Sequence, residues 1–432
     1  MSVGTSIKHK LHYGWVIFGL TFANLVAEGG SKNSQPVFLL ALRNGFGSSV
    51  TLTSAVFSVS GLVGAFSSPL LGRLLDRFGP RVMFPLGGVF ILAGWLACSM
   101  ASHIWQLFIF YSIIATLGQT MVSSFSATAT LAPWFSRSKG IVLGLADTGN
   151  PTGQAIFTPL TQIIVSTLGF RAAYQILGVA FFLVVAPLNL IFQRRPPVFA
   201  EASPDRGLAA PEVLAAPQSP ETINTEADQP AVANGMPVKG MLRQPAVWFL
   251  LATRAVASTA NQMTMVHLLA FFVLAGYGEL QAALAIGFGG LLNMGGRPCF
   301  GLLSDMIGRE IVFTICMAMS VASILIVLFF IGSGSLWVLV LFVALAGLSD
   351  GMSGLLIGAK AADLYPPRAL GTVMGLVDVG RGIGIALGPI LAGFLFDLQG
   401  DYLMAFSLAA GLTFGSMCTM WAARLVQGTA RY

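Results

Sequence analysis

The stretch that decides the fold runs from Asn293 to Arg309 and reads NMGGRPCFGLLSDMIGR. It begins in an apolar segment that carries Arg297 and ends in a short polar turn with an acid and a base. An arginine within a hydrophobic span is costly, so it normally faces a cavity or a partner. The stretch therefore predicts a membrane helix with an embedded cation, followed by a charged turn at the membrane surface.

The polar turn occurs twice in the chain. The earlier copy, residues 68–81, reads SPLLGRLLDRFGPR. At a shift of 229 positions Pro69 matches Pro298, Gly72 matches Gly301, Asp76 matches Asp305 and Gly79 matches Gly308. Arg297 falls on Ser68. The turn thus belongs to a shared scaffold, whereas the arginine is particular to the second half and indicates a function of its own.

A second repeat supports the duplication. Residues 137–153 read RSKGIVLGLADTGNPTG, and residues 368–384 read RALGTVMGLVDVGRGIG, a shift of 231 positions. The two copies share four glycines, a leucine and an aspartate after the leading arginine. Two halves related by such a repeat are a known plan of membrane transporters.

Composition places the protein in the membrane. The chain of 432 residues is 55% hydrophobic and 9% charged, with a mean hydropathy of +0.80, against about 25% charged residues in soluble proteins. An apolar run of about 20 residues can cross a bilayer as a helix. Twelve such spans are predicted, at 13–43, 51–71, 82–101, 105–133, 139–166, 171–193, 246–275, 280–301, 311–331, 336–361, 370–396 and 401–424. The predicted fold class is an all-α membrane protein.

The charges predict the orientation and the domain division. Sixteen of the 23 Lys and Arg residues fall in the tails and inner connections if both termini are cytoplasmic, which is the bias of the positive-inside rule. This distribution accounts for the net charge of +6 without a nucleic-acid partner. Residues 196–245 are rich in Pro, Ala and acids and have no apolar periodicity, so they predict a cytoplasmic linker. The predicted domains are a six-helix half, 1–195, this linker, and a second six-helix half, 246–432.

The motifs resemble those of the major facilitator superfamily. The turn at Gly72–Arg81 looks like the superfamily's signature loop between helices 2 and 3, and Gly301–Arg309 is a weaker copy between helices 8 and 9. The resemblance implies a major facilitator fold of 12 transmembrane helices in two pseudo-symmetric halves. In the family the loop forms a charge network that stabilises the outward-open state. It implies this gating role for Arg73, Asp76, Arg77, Asp305 and Arg309.

Within the superfamily the chain is similar to the monocarboxylate porter and oxalate–formate antiporter-like group. The 134–153 stretch resembles that group's fifth-helix motif, and Asn293 to Gly301 resembles its eighth-helix motif, in which an acidic or amide residue precedes a substrate-binding arginine. A guanidinium binds carboxylate with two parallel hydrogen bonds and stays charged. The predicted substrate-binding residues are Arg297, Asn293, Lys32, Asn33, Asn261 and Gln262. Lys32 lies near the place of a functional lysine in some members, but an ungapped match puts Asn33 there.

Three titratable residues inside spans are candidates for proton coupling. Asp350 lies near the middle of the predicted tenth helix, where an acid requires protonation or a partner. Glu28 and Lys32 are four residues apart and so lie on one face of the first helix. This spacing fits either an internal ion pair or a pair that lines a cavity. His267 on the seventh helix titrates near neutral pH if it is accessible. A histidine held by ordinary hydrogen bonds is the alternative.

The repeat preserves Asp147 and Asp378, so we expect them to serve a shared structural or gating task. They are expected to bridge to basic residues of the loop network, together with Arg381. Arg297 also has an alternative, since an arginine near a helix end can extend to the surface or join the gate.

The leading hypothesis is a secondary transporter that moves a small organic anion with a proton by alternating access. One alternative is an iron or manganese transporter of a specialised membrane such as a magnetosome membrane, because intramembrane carboxylates suit such ions. Another is a membrane sensor or assembly protein that transports nothing. No nucleotide-binding loop, nucleophile elbow or zinc-protease motif predicts an enzyme. No cofactor or metal site is predicted. We expect a monomer in a bacterial inner membrane, or in a membrane derived from it. Its expected partners are the lipid bilayer, a small-molecule or ion substrate and the proton.

Overall fold

The computed structural model describes residues 3–135, 139–194, 244–330, 335–365 and 367–429. Nearly all of the predicted linker, 196–245, lies outside these ranges. The described residues are helical throughout, with no strand among them. The first half contains α1 Val3–Asn33, α2 Gln35–Phe46, α3 Val50–Phe78, α4 Pro80–Met100, α5 Ile104–Ile109, a π-helical turn Phe110–Ala115, α6 Thr116–Met121, α7 Ser124–Leu131, a 3-10 turn Ala132–Trp134, α8 Lys139–Asp147 and α9 Gly149–Phe192.

The second half repeats this succession of long helices. It contains α10 Pro245–Leu274, α11 Glu279–Ile307, α12 Arg309–Phe329, α13 Leu336–Ser349, α14 Met352–Leu364, α15 Pro367–Gln399 and α16 Leu403–Thr429.

Nine segments of the described chain are long and apolar enough to cross a membrane. One of them, Val142–Phe192, reverses at Gly169, whose φ of 82° lies in the left-handed region that glycine tolerates. The protein is therefore an all-α, multi-pass membrane protein, as the sequence predicts. The predicted count of 12 transmembrane helices is consistent with this arrangement. Val142–Phe192 contains two helices, one on either side of Gly169, and α1–α2 and α11 are further long helices packed among the others.

The fourth helix of each half is interrupted, although the sequence predicts continuous spans at 105–133 and 336–361. In the first half the break lies between α6 and α7, at Val122 and Ser123. In the second half it lies between α13 and α14, where Asp350 is extended and Gly351 has a φ of 72°. A left-handed residue cannot continue a right-handed helix, and glycine adopts this conformation without steric cost. The break frees main-chain groups at mid-depth.

Glycines repeated between the halves bring equivalent helices close together. A Cβ on Gly149 of α9 would lie 2.8 Å from the carbonyl oxygen of Phe22 on α1. A Cβ on Gly380 of α15 would lie 2.5 Å from the carbonyl oxygen of Leu251 on α10. Only glycine allows helices this close. The packing of α9 on α1 is thus repeated by α15 on α10.

The two halves are joined at the end where α3 begins and α15 ends, which we call the upper end. There the Asp397 carboxylate accepts hydrogen bonds from the main-chain nitrogens of Val50 (3.0 Å) and Thr51 (2.8 Å) and from the Thr51 hydroxyl (2.5 Å). Gln162 of α9 donates to Glu279 of α11 across the same end, at 2.6 Å. Carboxylates at the first turns of α3 and α11 also complement the positive helix N-termini.

The opposite, lower end carries the α3–α4 and α11–α12 turns. Gly144, Gly301 and Gly375 lie on helices that lead to it, and a Cβ on any of them would meet nothing within 4 Å among the described residues. The halves are thus held together at the upper end, whereas no described residue approaches these three glycines.

Candidate functional site

Arg297 lies on α11 at the interface between the halves. Its Nε donates to the Oδ1 of Asn293, one turn earlier on the same helix, at 2.7 Å. Its Nη1 forms an ion pair with the carboxylate of Asp147, which belongs to the first half. The guanidinium also covers Gly351, because a Cβ there would lie 2.8 Å from Nη2. The Arg297 side chain is 24% exposed and that of Asp147 is 43% exposed, so the pair is open to the space between the halves.

Asn293 connects Arg297 to Asp350. Its Nδ2 donates to the main-chain carbonyl of Asp350 at 3.1 Å and to the carboxylate Oδ2 at 3.0 Å. Asn261 of α10 donates to the other carboxylate oxygen of Asp350, also at 3.1 Å. The break after α13 presents this carboxylate to both amides. Asp147, Arg297, Asn293, Asp350 and Asn261 thus form one continuous hydrogen-bonded chain, which we call the cross-half network.

A second polar group lies within the first half. Glu28, whose side chain is 4% exposed, accepts from Lys32 Nζ at 3.3 Å and from Asn150 Nδ2 at 2.7 Å. Asn33 donates to Asn150 at 3.3 Å and to the carbonyl of Gly29 at 2.9 Å. Asn150 lies one turn beyond Asp147 along α8 and α9, so this group adjoins the cross-half network. Sequence reasoning did not identify Asn150, although it occupies the repeat position of Arg381.

Two candidates lie apart from these groups. The Cβ of Gln262 faces Gly388 of α15, at the contact between α10 and α15. His267 is fully buried toward the upper end, where its Nε2 lies 2.9 Å from the Pro389 carbonyl and its Nδ1 lies 3.2 Å from the Tyr402 hydroxyl. In this state His267 is a hydrogen-bonded member of the contact between α10, α15 and α16.

The predicted loop residues differ between the halves. Arg73, Asp76 and Arg77 are exposed, and none of them forms an ion pair with another described residue. In the weaker copy, Arg309 forms ion pairs with Asp305 and, at 3.1 Å, with Asp363. The charge network at this end therefore lies in the second half in this state.

The two repeated aspartates have different partners from those expected. Asp147 pairs with Arg297 of α11 and accepts from Ser124 at 3.2 Å, so it contacts no basic residue of the α3–α4 turn. Asp378 pairs with Arg381 on its own helix at 3.1 Å. Their positions two to three turns inside α8 and α15 explain the difference, because the loop residues lie too far toward the lower end.

Arg254 was left without a role by the sequence. It lies on α10, and its Nη1 donates to the Ser353 hydroxyl on the first turn of α14 at 3.1 Å. A Cβ on Gly354 would lie 2.9 Å from both of its Nη atoms. Its Cβ meets Gly380 in the way that the Cβ of Leu25 meets Gly149 in the first half. Like Arg297, it is therefore an arginine that the repeat does not share, and that comparison could have identified it.

A cavity lies beside the cross-half network. It is bounded by α10, α12, α13, α14 and α16, and Asp350, Asn261 and Ser353 contribute to its wall. Within the described ranges, no three His, Cys, Asp or Glu side chains are grouped so as to hold a metal ion.

The family model of the Major Facilitator Superfamily matches residues 20–310 and 295–428 of this chain. The chain is 26% identical over 416 residues to monocarboxylate transporter 11 of Homo sapiens, covering 93% of this chain and 80% of that protein. It is 23% identical over 394 residues to the uncharacterized MFS-type transporter YcxA of Bacillus subtilis (strain 168), covering 90% of each.

Two solved structures share the fold. One is a bacterial homologue of the human lysosomal transporter Spinster in an inward-facing and unoccupied conformation, with a TM-score of 0.65, 15% identity, and coverage of 98% of this chain and 95% of that chain. The other is a variant of the nucleoside transporter NupG, with a TM-score of 0.71, 12% identity, and coverage of 95% and 99%.

Proposed function

This chain belongs to the Major Facilitator Superfamily, and we propose that it carries a small organic anion of the monocarboxylate type together with a proton. It is a membrane transporter rather than an enzyme. Relatives named monocarboxylate transporters align along nine-tenths of the chain, which supports this substrate class. We further propose that the halves 1–195 and 246–432 alternate access to a site between them. The lower end and both termini would face the cytoplasm of a bacterial cell.

The observation that carries the proposal is the ion pair between Arg297 and Asp147. A guanidinium that already holds one carboxylate across the interface has the charge and the geometry to hold another. A substrate carboxylate can replace that of Asp147 and leave the Asn293 contact in place. Because Asp147 belongs to the other half, this replacement would release a link between α8 and α11. Substrate binding and movement of the halves would then be coupled.

The proton site that fits this scheme is Asp350. Each carboxylate oxygen accepts from an amide, and no cationic group of a described residue lies within 4 Å. The other central acids, Glu28, Asp147 and Asp378, are each paired with a cation. Protonation of Asp350 therefore breaks no ion pair, and an amide can turn to offer its oxygen to the new O–H group. An added proton offsets the charge of one monoanion.

The closure at the upper end supports alternating access. Asp397 of α15 holds the first turn of α3, and Gln162 holds Glu279, while no described residue approaches Gly144, Gly301 or Gly375 near the lower end. We propose that this state is inward-facing. In the other state, the loop residues Arg73, Asp76 and Arg77 would take part in the closure of the lower end.

The test is uptake of labelled pyruvate and lactate into proteoliposomes, with and without an inward proton gradient. We expect accumulation that depends on the gradient, and a loss of at least about tenfold in Arg297→Lys, because lysine lacks the paired donors. Arg194→Gln is the control, since this exposed arginine lies over the Tyr13 ring and belongs to neither the cross-half network nor the group around Glu28. Full transport by Arg297→Lys, or transport of Fe²⁺ in place of both anions, would count against the proposal.

A further inference from the structure

Arg254 presents a charge that the described residues leave without a carboxylate partner. Its guanidinium donates a hydrogen bond to a neutral hydroxyl, that of Ser353. No carboxylate of a described residue lies within 4 Å of it. The guanidinium is pressed against Gly354, where a side chain would exclude it. A cation among spanning helices is costly without a counter-charge, so an anion is expected at this position during part of the transport cycle.

The surrounding charges indicate at which point of the transport cycle an anion would bind beside Arg254. Three ion pairs at the centre of the molecule are internally neutral, namely Lys32–Glu28, Arg297–Asp147 and Arg381–Asp378. The charged groups that act on Arg254 are Arg381 and Asp378, which offset each other as a pair. Asp350 and Arg254 remain outside the three pairs. The charges of these two residues sum to zero while Asp350 is ionised, and a net positive charge remains when Asp350 binds a proton.

The break in the second half's fourth helix joins these two residues. Asp350 ends α13, and Ser353, which accepts from Arg254, lies three residues later on the first turn of α14. Asp350 and Ser353 both line the cavity beside the cross-half network. The first-turn N–H groups of α14 add a partial positive charge at the same place. Proton and anion can therefore be held on the two sides of one helix break.

We propose that Arg254 and Ser353 form a second carboxylate-binding position, separate from Arg297, which is occupied when Asp350 is protonated. The proposal rests on the proposed transport of a monocarboxylate-type anion. Gly351 lies against Arg297 and Gly354 against Arg254. The two guanidinium groups therefore lie against glycines three residues apart, at the helix break and on the first turn of α14, so a carboxylate released by Arg297 has a second cation close by.

Comparison of the two repeats supports a role for Arg254 that has no equivalent in the first half. Leu25 takes the equivalent place on α1, with its Cβ against Gly149. Packing at this helix contact is therefore satisfied by an apolar residue in the first half. The guanidinium serves a purpose that the shared scaffold does not require.

The test is equilibrium binding of labelled pyruvate to the purified full-length protein and to Asp350→Asn, whose neutral side chain takes the place of the protonated acid. Arg254→Gln, Arg254→Lys and Ser353→Ala are each made in both backgrounds, with Arg194→Gln as the control. We expect Asp350→Asn to bind more tightly than the wild type, with and without the control change. Arg254→Gln should lose about tenfold in affinity in the Asp350→Asn background, together with the gain that Asp350→Asn brings. Arg254→Lys should recover part of both, and Ser353→Ala should weaken binding less than Arg254→Gln.

The inference would be overturned if Arg254→Gln bound pyruvate with the wild-type affinity and gained as much from Asp350→Asn as the wild type does. If the wild type binds neither pyruvate nor lactate, the proposed function fails, and a second probe tests Arg254 alone. Nitrate is a small planar anion, and a site for it should raise the unfolding temperature of Asp350→Asn. Absence of this rise when Arg254→Gln is added supports the site, whereas an equal rise with and without Arg254→Gln overturns it.

Discussion

The guanidinium of Arg297 donates both to Asn293 on its own helix and to Asp147 in the other half of the molecule. One side chain therefore orders a helix face and links the two halves. Asn293 in turn donates a hydrogen bond to the carboxylate of Asp350. A change at any of these residues acts on the binding site and on the interface between the halves.

Replacing Asp147 should separate these two effects. Asp147→Asn removes the carboxylate that competes for Arg297, so the affinity for pyruvate should rise about tenfold while the transport rate falls. Equilibrium binding and initial uptake rates measure the two quantities. Asp378→Asn is the matched control, because Asp378 pairs with Arg381 on its own helix and spans no interface. Unchanged affinity in Asp147→Asn would show that Asp147 does not compete with the substrate.

Asp350→Asn keeps an amide-sized side chain and removes the titratable group. We expect it to lose accumulation driven by a proton gradient but to retain exchange of internal for external pyruvate, because exchange requires no release of the proton. Uptake and counterflow in the same proteoliposomes distinguish these results. Asp305→Asn, at the lower end, should keep its response to the gradient. Gradient-driven accumulation by Asp350→Asn would exclude Asp350 as the proton carrier.

The upper closure depends on Asp397. Asp397→Asn removes the charge that complements the first turn of α3, which contributes about 0.3–1 kcal/mol at such a site. The halves should then separate more often at the upper end. Electron–electron distance measurements between spin labels on Asn44 and Gln399, in protein lacking the exposed Cys299 and Cys418, should show a larger population at long distance.

Asp401→Asn serves as the control for that measurement. Asp401 accepts from the main-chain nitrogen of Leu403 at 3.0 Å within its own segment, so the same chemical change there does not touch the other half. Identical distance distributions in the two variants would mean that Asp397 does not hold the upper end closed.

Glycine is required at position 351 both by the left-handed backbone conformation and by the close approach of Arg297. Gly351→Ala places a Cβ at a φ of 72° and 2.8 Å from Arg297 Nη2. We expect a loss of about 1–2 kcal/mol in stability, with a weaker affinity for the anion. Gly295→Ala is the control, since a Cβ there meets nothing within 4 Å of the described residues and alanine favours a helix by about 0.5–1 kcal/mol. Thermal unfolding and pyruvate binding report the difference.

Much of the fold follows from the sequence because hydropathy and repeats are local signals. The shift of 229 positions related the turns, and the shift of 231 positions related α8–α9 to α15. The break at Gly351 was missed, since Gly occurs so often in membrane helices that one more carries little information. Only the φ angle distinguishes Gly351 from Gly347 or Gly354, which lie within helices.

The candidate site was harder to predict for a physical reason. Each partner in the cross-half network lies on a different helix, so its register depends on how the helices rotate and tilt. The sequence identified Arg297 and Asn293 as neighbours because both lie on α11. It could not show that Asp147 turns away from the loop toward Arg297, or that Arg254 reaches Ser353 on α14.

Gly144, Gly301 and Gly375 have open space around them in this state. They resemble the glycines of the closed interfaces in sequence, yet no described neighbour requires their small size. If the lower end closes in the other state, these glycines are the positions where helices would come into contact. A methyl group at one of them would then have no effect in the state described, and would hinder only the conformational change that closes the lower end.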